Sequence, residues 1–346
     1  MSGPLAIPVD AELAAEGPEE LRAFARAAEA AGIARLWAPE LYRSSTIPLA
    51  LAAEATERIE LGTGVALAFT RSPFTLALEA LDLDELSGGR LVLGLGAGAR
   101  RLNERWHAAA YDPPVRRMRE TVAAVRELIA ALPDGRRARS EGRLVDVEVV
   151  GYRRPHPVPR SAIPVWLAAM LPGMTRLAGS VADGMLGHPV VPPSWTAQTL
   201  LPALREGAER AGRPAPPLAG GLIVACDDAD PSGARRAAAC TVGFYATVRT
   251  YEPIFAAAGF AARLPAIREA FMTREADRLA EAVGEEMTDA FAAAGSAEHV
   301  RRRARDWEGV AQRLWATPPH HLQEGALGRW QAGILTAFGR AGAPPA

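Results

Sequence analysis

Residues 59–100, IELGTGVALAFTRSPFTLALEALDLDELSGGRLVLGLGAGAR, constrain the fold of this chain more than any other stretch. Two short apolar strands, Ile59–Ala66 and Arg90–Leu95, flank a helix at Pro73–Leu86, and both strands run out into glycines. Strands joined by a helical crossover pair in parallel, so the two glycine-rich ends point the same way. Glycine there allows a positive φ or a close approach of backbone to a ligand. The region just past the C-terminal ends of parallel strands is where α/β proteins carry their sites.

The same unit recurs along the chain. Pro18–Ala31 reads as a helix, with a proline at its start, Leu21, Phe24, Ala25 and Ala28 on one face and Gly32 as its stop. Strands are predicted near residues 5–9, 33–37, 59–66, 90–95, 163–168, 182–186, 218–225 and 309–315. Helices separate them at Thr46–Thr56, Arg116–Ala131, Met174–Ser180, Trp195–Ala211, Met287–Ala294, Ala297–Trp307 and Leu322–Ala337. Residues 134–150 break the pattern with alternating Leu144, Val145, Val147 and Val149, which reads as a small inserted hairpin, and 151–161 form a proline-rich loop. Residues 231–283 add extra helices, and AGAPPA reads as a frayed tail. With no linker dividing the chain into balanced halves, the expectation is a single α/β domain over residues 1–346, a (β/α)8 TIM barrel.

Charge narrows the partners. Lysine and arginine number 39 against 40 acidic residues, so no basic excess points to nucleic acid or an anionic membrane. The N-terminus lacks the basic-then-apolar pattern of a signal peptide, and no charge-free run of 18 apolar residues occurs, so a cytoplasmic location is the default expectation. Cys226 and Cys240 have neither a CxxC partner nor a histidine at ligand spacing, which reads as two structural thiols and no metal site. There is no GxSxG elbow for a hydrolase. Gly94-Leu-Gly96-Ala-Gly98-Ala99 fits the loose dinucleotide pattern, but it stands in the fourth unit and opens onto RRLNERW rather than a regular helix. A structural tight turn is the competing reading. Glu40, at the end of the second strand, is open to three readings: catalytic acid, cofactor contact or loop carboxylate. Asn103, Glu104, Arg105, Trp106 and His107 follow the glycine run in a mixture that burial alone does not call for. His188 sits at a strand end beside Pro189, whereas His320 and His321 read as solvated or capping.

Together, the stretch 59–98, the later RRMRETVAAVREL and IPVWLAAMLPGMTRLAGSVADGMLGHP resemble the bacterial luciferase-like family, in the same order and over nearly the whole chain. That family includes FMN-dependent monooxygenases and coenzyme F420-dependent oxidoreductases. The resemblance implies a barrel with the isoalloxazine or deazaflavin ring at its C-terminal mouth and a non-proline cis peptide after the third strand, which falls on Gly64-Val65. It implies cofactor contacts at Thr63, Gly64, Val65 and Ala66, at Gly96, Gly98 and Asn103, and at Ala168, Ala169 and Met170. Gly187 and His188 fall where the ribityl or phosphate end would lie.

The expected activity is an oxidoreductase that passes a hydride between F420 and a small organic substrate. Glu40 and His107 are the candidate catalytic groups; Tyr42, Arg43, Trp106 and Tyr245 are further candidates on the substrate side. F420-dependent sugar-phosphate dehydrogenases resemble this chain but carry a proposed proton-donating glutamate where Ala99 stands, and a histidine where Leu41-Tyr42-Arg43 follows Glu40. Two other readings stand beside it: an FMN-dependent monooxygenase served by a flavin reductase and molecular oxygen, and a barrel that binds cofactor without chemistry. A homodimer is expected from the resemblance and from the prevalence of twofold assemblies.

Overall fold

A computed structural model describes residues 5–14, 17–41, 43–160, 162–323 and 325–340. Its strands are β1 (Val9–Glu12), β2 (Arg35–Ala38), β3 (Glu60–Thr63), β4 (Ala66–Leu67), β5 (Leu91–Gly96), β6 (Ala138–Ser140), β7 (Val147–Val149), β8 (Val165–Ala168), β9 (Gly184–Leu186), β10 (Leu218–Cys226), β11 (Ala292–Gly295) and β12 (Arg313–Thr317). Eight of them, β1, β2, β3, β5, β8, β9, β10 and β12, make the parallel barrel of a (β/α)8 fold, with helices outside. The expected hairpin is present as β6 and β7, antiparallel from Ala138↔Val149 to Ser140↔Val147.

Backbone contacts gather the chain into two compact units. The first holds residues 1–35, 187–202 and 218–346. In it β12 lies between β1, in register Asp10↔Trp315, and β10, in register Gly221↔Trp315. The second holds 36–186 and 203–217. There β5 pairs with β3 through Leu61↔Leu91 and with β8 through Gly94↔Trp166, and β8 continues to β9.

Packing in the second unit accounts for two of the glycines in the opening stretch. Trp37, at the centre of β2, is fully buried and lies 5.6 Å from Trp166, ring centroid to centroid. A Cβ on Gly62 would fall 2.5 Å from the Trp37 ring, and one on Gly94 would fall 2.0 Å from the Thr63 carbonyl oxygen. Those contacts are too short for any side chain, so Gly62 and Gly94 are required by the indole and the neighbouring strand.

Several boundaries differ from expectation. The first strand runs Val9–Glu12 rather than 5–9 and the last Arg313–Thr317 rather than 309–315, because the two pair with each other and shift together. The helix expected at Met287–Ala294 stops at Phe291. Ala292, Ala293 and Ala294 are good helix formers, yet they extend along Ile223–Ala225 as β11, where pairing outweighs propensity. The helix expected from Trp195 is interrupted by a wider turn at Thr196–Leu200. No helix among the described residues is long and apolar enough to cross a membrane.

Candidate functional site

In the second unit the chain between β3 and β4 forms a pinned backbone shelf. The Gly64–Val65 peptide bond is cis. On one side Gly64 N donates to Ala38 O at 2.7 Å; on the other the Thr63 hydroxyl donates to Gly94 O at 2.7 Å and accepts from Gly94 N at 2.8 Å. Beyond the bond, Leu67 N donates to Glu40 Oε2 at 3.0 Å and Ala68 N to Gly96 O at 2.9 Å. Residues 61–68 are buried with the exception of Val65, which keeps accessible surface. Gly96 makes room for it: a Cβ there would lie 2.4 Å from Val65 Cγ2. A flat, apolar step with every neighbour held in place is suited to carry a planar ring.

Glu40 takes part in this support. Its Oε2 also accepts from Arg71 Nη1 at 2.7 Å, and Arg71 Nε lies 3.3 Å from Glu79. The Glu40 carboxylate is therefore occupied in fixing Leu67. His107 stands elsewhere, exposed at the end of the single turn Leu102–Trp106, and no hydrogen bond joins it to Glu40. Trp106 is exposed as well, and Arg43 lies on the surface. Tyr42 falls outside the described residues.

Asn103 belongs to that turn and is fully buried. Its Nδ2 donates to Ala97 O at 2.7 Å and Ala99 O at 3.0 Å, which closes the loop after β5 over Gly98 at φ +64°. Two carbonyl partners fix the amide orientation, and they leave Oδ1 buried without a donor. At the end of β8, Ala168, Ala169 and Met170 form a small-residue corner, with Ala169 N donating to Leu186 O at 3.1 Å.

The first unit holds a carboxyl that the sequence reading passed over. Asp10 and Glu12 share a face of β1 by the two-residue period. Asp10, fully buried, takes a bidentate pair from Arg313, with the shortest contact at 2.6 Å. Glu12, at the strand's C-terminal end, is half-buried with protein crowded round it, and burial pushes its carboxyl up to about 8. The pattern Val9-Asp10-Ala11-Glu12-Leu13, acids alternating with apolar residues, was the available signal. With the first strand placed at 5–9, Glu12 fell into an assumed loop.

The first unit also holds His188, His320 and His321. Gly187 N donates to Ala219 O at 2.8 Å, and Gly221 lets the loop after β9 lie flat, since a Cβ there would fall 2.7 Å from the His188 carbonyl carbon. His188 Nδ1 accepts from Val190 N at 3.2 Å, and Nε2 lies 3.4 Å from the Tyr251 hydroxyl. His320 is exposed and His321 partly so; both rings pack against Phe244, and their backbone N–H groups donate to the Thr241 hydroxyl. Burial, reinforced by His320, pulls His188 down to about 3, and the protein crowded round the exposed His320, reinforced by His321, pulls that ring down to about 4. Burial lowers His321 as well.

These shifts give stability opposite slopes with pH. Glu12 holds its proton in the native state after the unfolded chain, near 4.5, has lost it; its contribution is full below about pH 4.5 and fades as pH rises through about 8. His188 stays neutral after the unfolded chain, near 6.5, has taken a proton; its contribution is full above that value and fades as pH falls towards about 3. Glu12→Gln is expected to raise the melting temperature at pH 8–9 and change little at pH 4–5. His188→Gln is expected to flatten the acid limb. Thermal melts across pH 4–9 check both, and parallel curves for variant and parent would refute the assignments.

Burial also pushes the thiols of Cys226 and Cys240 up, to about 12 and about 11, so neither offers a thiolate. Among the described residues no group of three or more His, Cys, Asp or Glu side chains is placed to hold a metal.

Comparison with known proteins agrees with the fold. Over 311 residues the chain is 34% identical to an uncharacterised protein of Mycobacterium tuberculosis, covering 84% of this chain and 89% of that one. It is 28% identical to a putative coenzyme F420-dependent oxidoreductase of the same organism, over 86% and 89% of the two chains. The fold matches the coenzyme F420-dependent tetrahydromethanopterin reductase of Methanopyrus kandleri with a TM-score of 0.79 at 22% identity, covering 97% of this chain and 100% of the other. Residues 5–312 match the luciferase-like monooxygenase family, and the chain belongs to that family.

Proposed function

We propose that the chain is an F420-dependent oxidoreductase that transfers a hydride between the deazaflavin and a small organic substrate. The observation that carries this reading is the pinned shelf: Val65 is its one accessible step, Gly96 leaves it room, and buried Asn103 Oδ1 lacks a donor. Thr63, Gly64, Val65 and Ala66 would support the ring, Gly96 and Gly98 would let it approach the backbone, and Asn103 Oδ1 would accept a ring N–H. Ala168, Ala169 and Met170 would border it without bulk. When bound, F420 supplies the two-electron hydride chemistry. The likeness to a putative F420-dependent oxidoreductase supports F420 over FMN.

Ala99 cannot supply the proton that accompanies a hydride, and Glu40 is committed to Leu67 and Arg71.

The test is a titration of the purified chain with F420 and with FMN, followed by the absorbance and fluorescence of each. Saturable F420 binding with no FMN binding is the expected result. FMN binding alone would replace the reading with that of an FMN-dependent monooxygenase, and binding of neither would overturn an enzymatic role.

A further inference from the structure

A narrow cavity lies within the first unit, between the loop after β9 and the helix Ala297–Ala304 with its tighter last turn Arg305–Trp307. Pro189 and Pro192 line it from the loop, both buried, and Ala290 lines it from the helix that precedes β11. Across from them stand Trp307, 1% exposed, and the ion pair of Arg303 with Asp306, whose side chains keep 33% and 46% of their surface. The walls enclose room for about one water-sized molecule.

Two buried donors on these lining residues have no acceptor among the described residues: Trp307 Nε1 and Arg303 Nε. The rest of each side chain is committed. Gly220 makes way for the six-membered ring of Trp307, since a Cβ there would fall 2.2 Å from Cε3, so the opposite, N–H-bearing edge of the indole is turned from that glycine. Arg303 donates from Nη1 to Asp306 Oδ2 at 2.5 Å and from Nη2 to the Asp289 carbonyl oxygen, which leaves Nε over. Buried donors left unmade are costly, and protein interiors satisfy them with protein or with ordered water.

The same groups select the occupant. A cation has nothing to offer two N–H donors. An anion would meet the Asp306 carboxylate, and the charge of Arg303 is already paired with it. An apolar molecule would leave both donors unmade. The loop, for its part, has acceptors to give rather than donors: Pro189 and Pro192 bring no N–H, and Val190 N and Val191 N are both spent on His188. A single water accepts from the helix side and donates to the loop side.

We propose that the cavity binds one ordered water, which accepts from Trp307 Nε1 and Arg303 Nε and donates towards the loop after β9. The water latches to the helix the segment that follows His188.

NOE and ROE spectra between water and the indole N–H protons of the full chain test this, with the tryptophans isotope-labelled. The Trp307 resonance is identified by its loss in Trp307→Phe. It is expected to show a water cross-peak with the sign of the diagonal in the NOE spectrum and the opposite sign in the ROE spectrum, the pattern of a long-lived bound water. Two other indoles calibrate the result. Trp330 Nε1 donates to Gln323 Oε1 at 3.1 Å and should show no such peak; Trp106, 62% exposed, should show only short-lived surface hydration. Ala290→Val adds bulk to the cavity wall and should abolish the Trp307 cross-peak with circular dichroism unchanged. Absence of the peak in the parent, the diagonal's sign in both spectra, a peak of equal strength at Trp330, or a peak that survives in folded Ala290→Val would each overturn the proposal. If Ala290→Val does not fold, the parent spectrum, assigned through Trp307→Phe, decides.

Discussion

Gly94→Ala is expected to destabilise the chain by about 3 kcal/mol and to weaken F420 binding more than tenfold. The added methyl would sit 2.0 Å from the Thr63 carbonyl oxygen. A backbone atom cannot swing aside as a side chain does, so the cost falls at the upper end of overpacking. Relief requires β3 to move away from β5, which breaks the reciprocal bonds between the Thr63 hydroxyl and Gly94 and shifts Gly64 and Val65. Gly328→Ala is the control. No heavy atom lies within 4 Å of its added Cβ, and it stands in a helix, so stability and F420 affinity should hold or improve slightly. Thermal melts and an F420 titration read both effects. Parental stability and affinity in Gly94→Ala would show that the Thr63–Gly94 contact does not govern the shelf.

The barrel was legible because its signals are local. Glycine after an apolar strand, proline at a helix start and a stripe of Leu76, Ala77, Ala80 and Leu81 are each written within one unit, and the resemblance then fixed their order. What stayed hidden depends on partners distant in sequence. The ends of β1 and β12 follow from pairing across some 300 positions, and that shift is what moved Glu12 from a loop to a strand end. Three alanines read as helix until β10 takes them as an edge strand. Gly94 reads as part of a ligand loop, yet its strictest constraint is the Thr63 carbonyl oxygen, and that of Gly62 is the Trp37 ring; the linear pattern brings neither contact into view. For the candidate site, cis Gly64–Val65 falls where the resemblance implied it. Glu40 drew attention as a carboxylate at a strand end, but only the fold reveals that Arg71 and Leu67 claim it. The packing of His188, Phe244, Tyr245, Tyr251, Phe271, His320 and His321 against one another was invisible for the same reason, since their segments are far apart in the chain.

Arg71→Met is expected to cost about 3–5 kcal/mol at pH 7, because it strands two carboxylates in a low-exposure setting. Glu40 and Arg71 retain only 9% and 16% side-chain exposure, and Glu79 retains 30%. Burial already pushes the Glu79 carboxyl up against the opposing pull of Arg71, so losing the guanidinium removes the group that favours its charged form. The loss should shrink as pH falls, since a stranded carboxylate takes up a proton in the native state before the unfolded chain does. Glu40→Gln separates support from chemistry. A glutamine oxygen still accepts from Leu67 N and Arg71, so F420 affinity should persist, and turnover should remain within a few-fold if Glu40 only positions the shelf. Parental stability and F420 affinity with turnover abolished would instead make Glu40 a proton-transfer group. In the double variant Glu40→Gln with Arg71→Met, the penalty should fall well below that of Arg71→Met alone, because one of the two stranded charges is gone; additive losses would mean that the two side chains do not support the shelf as a pair.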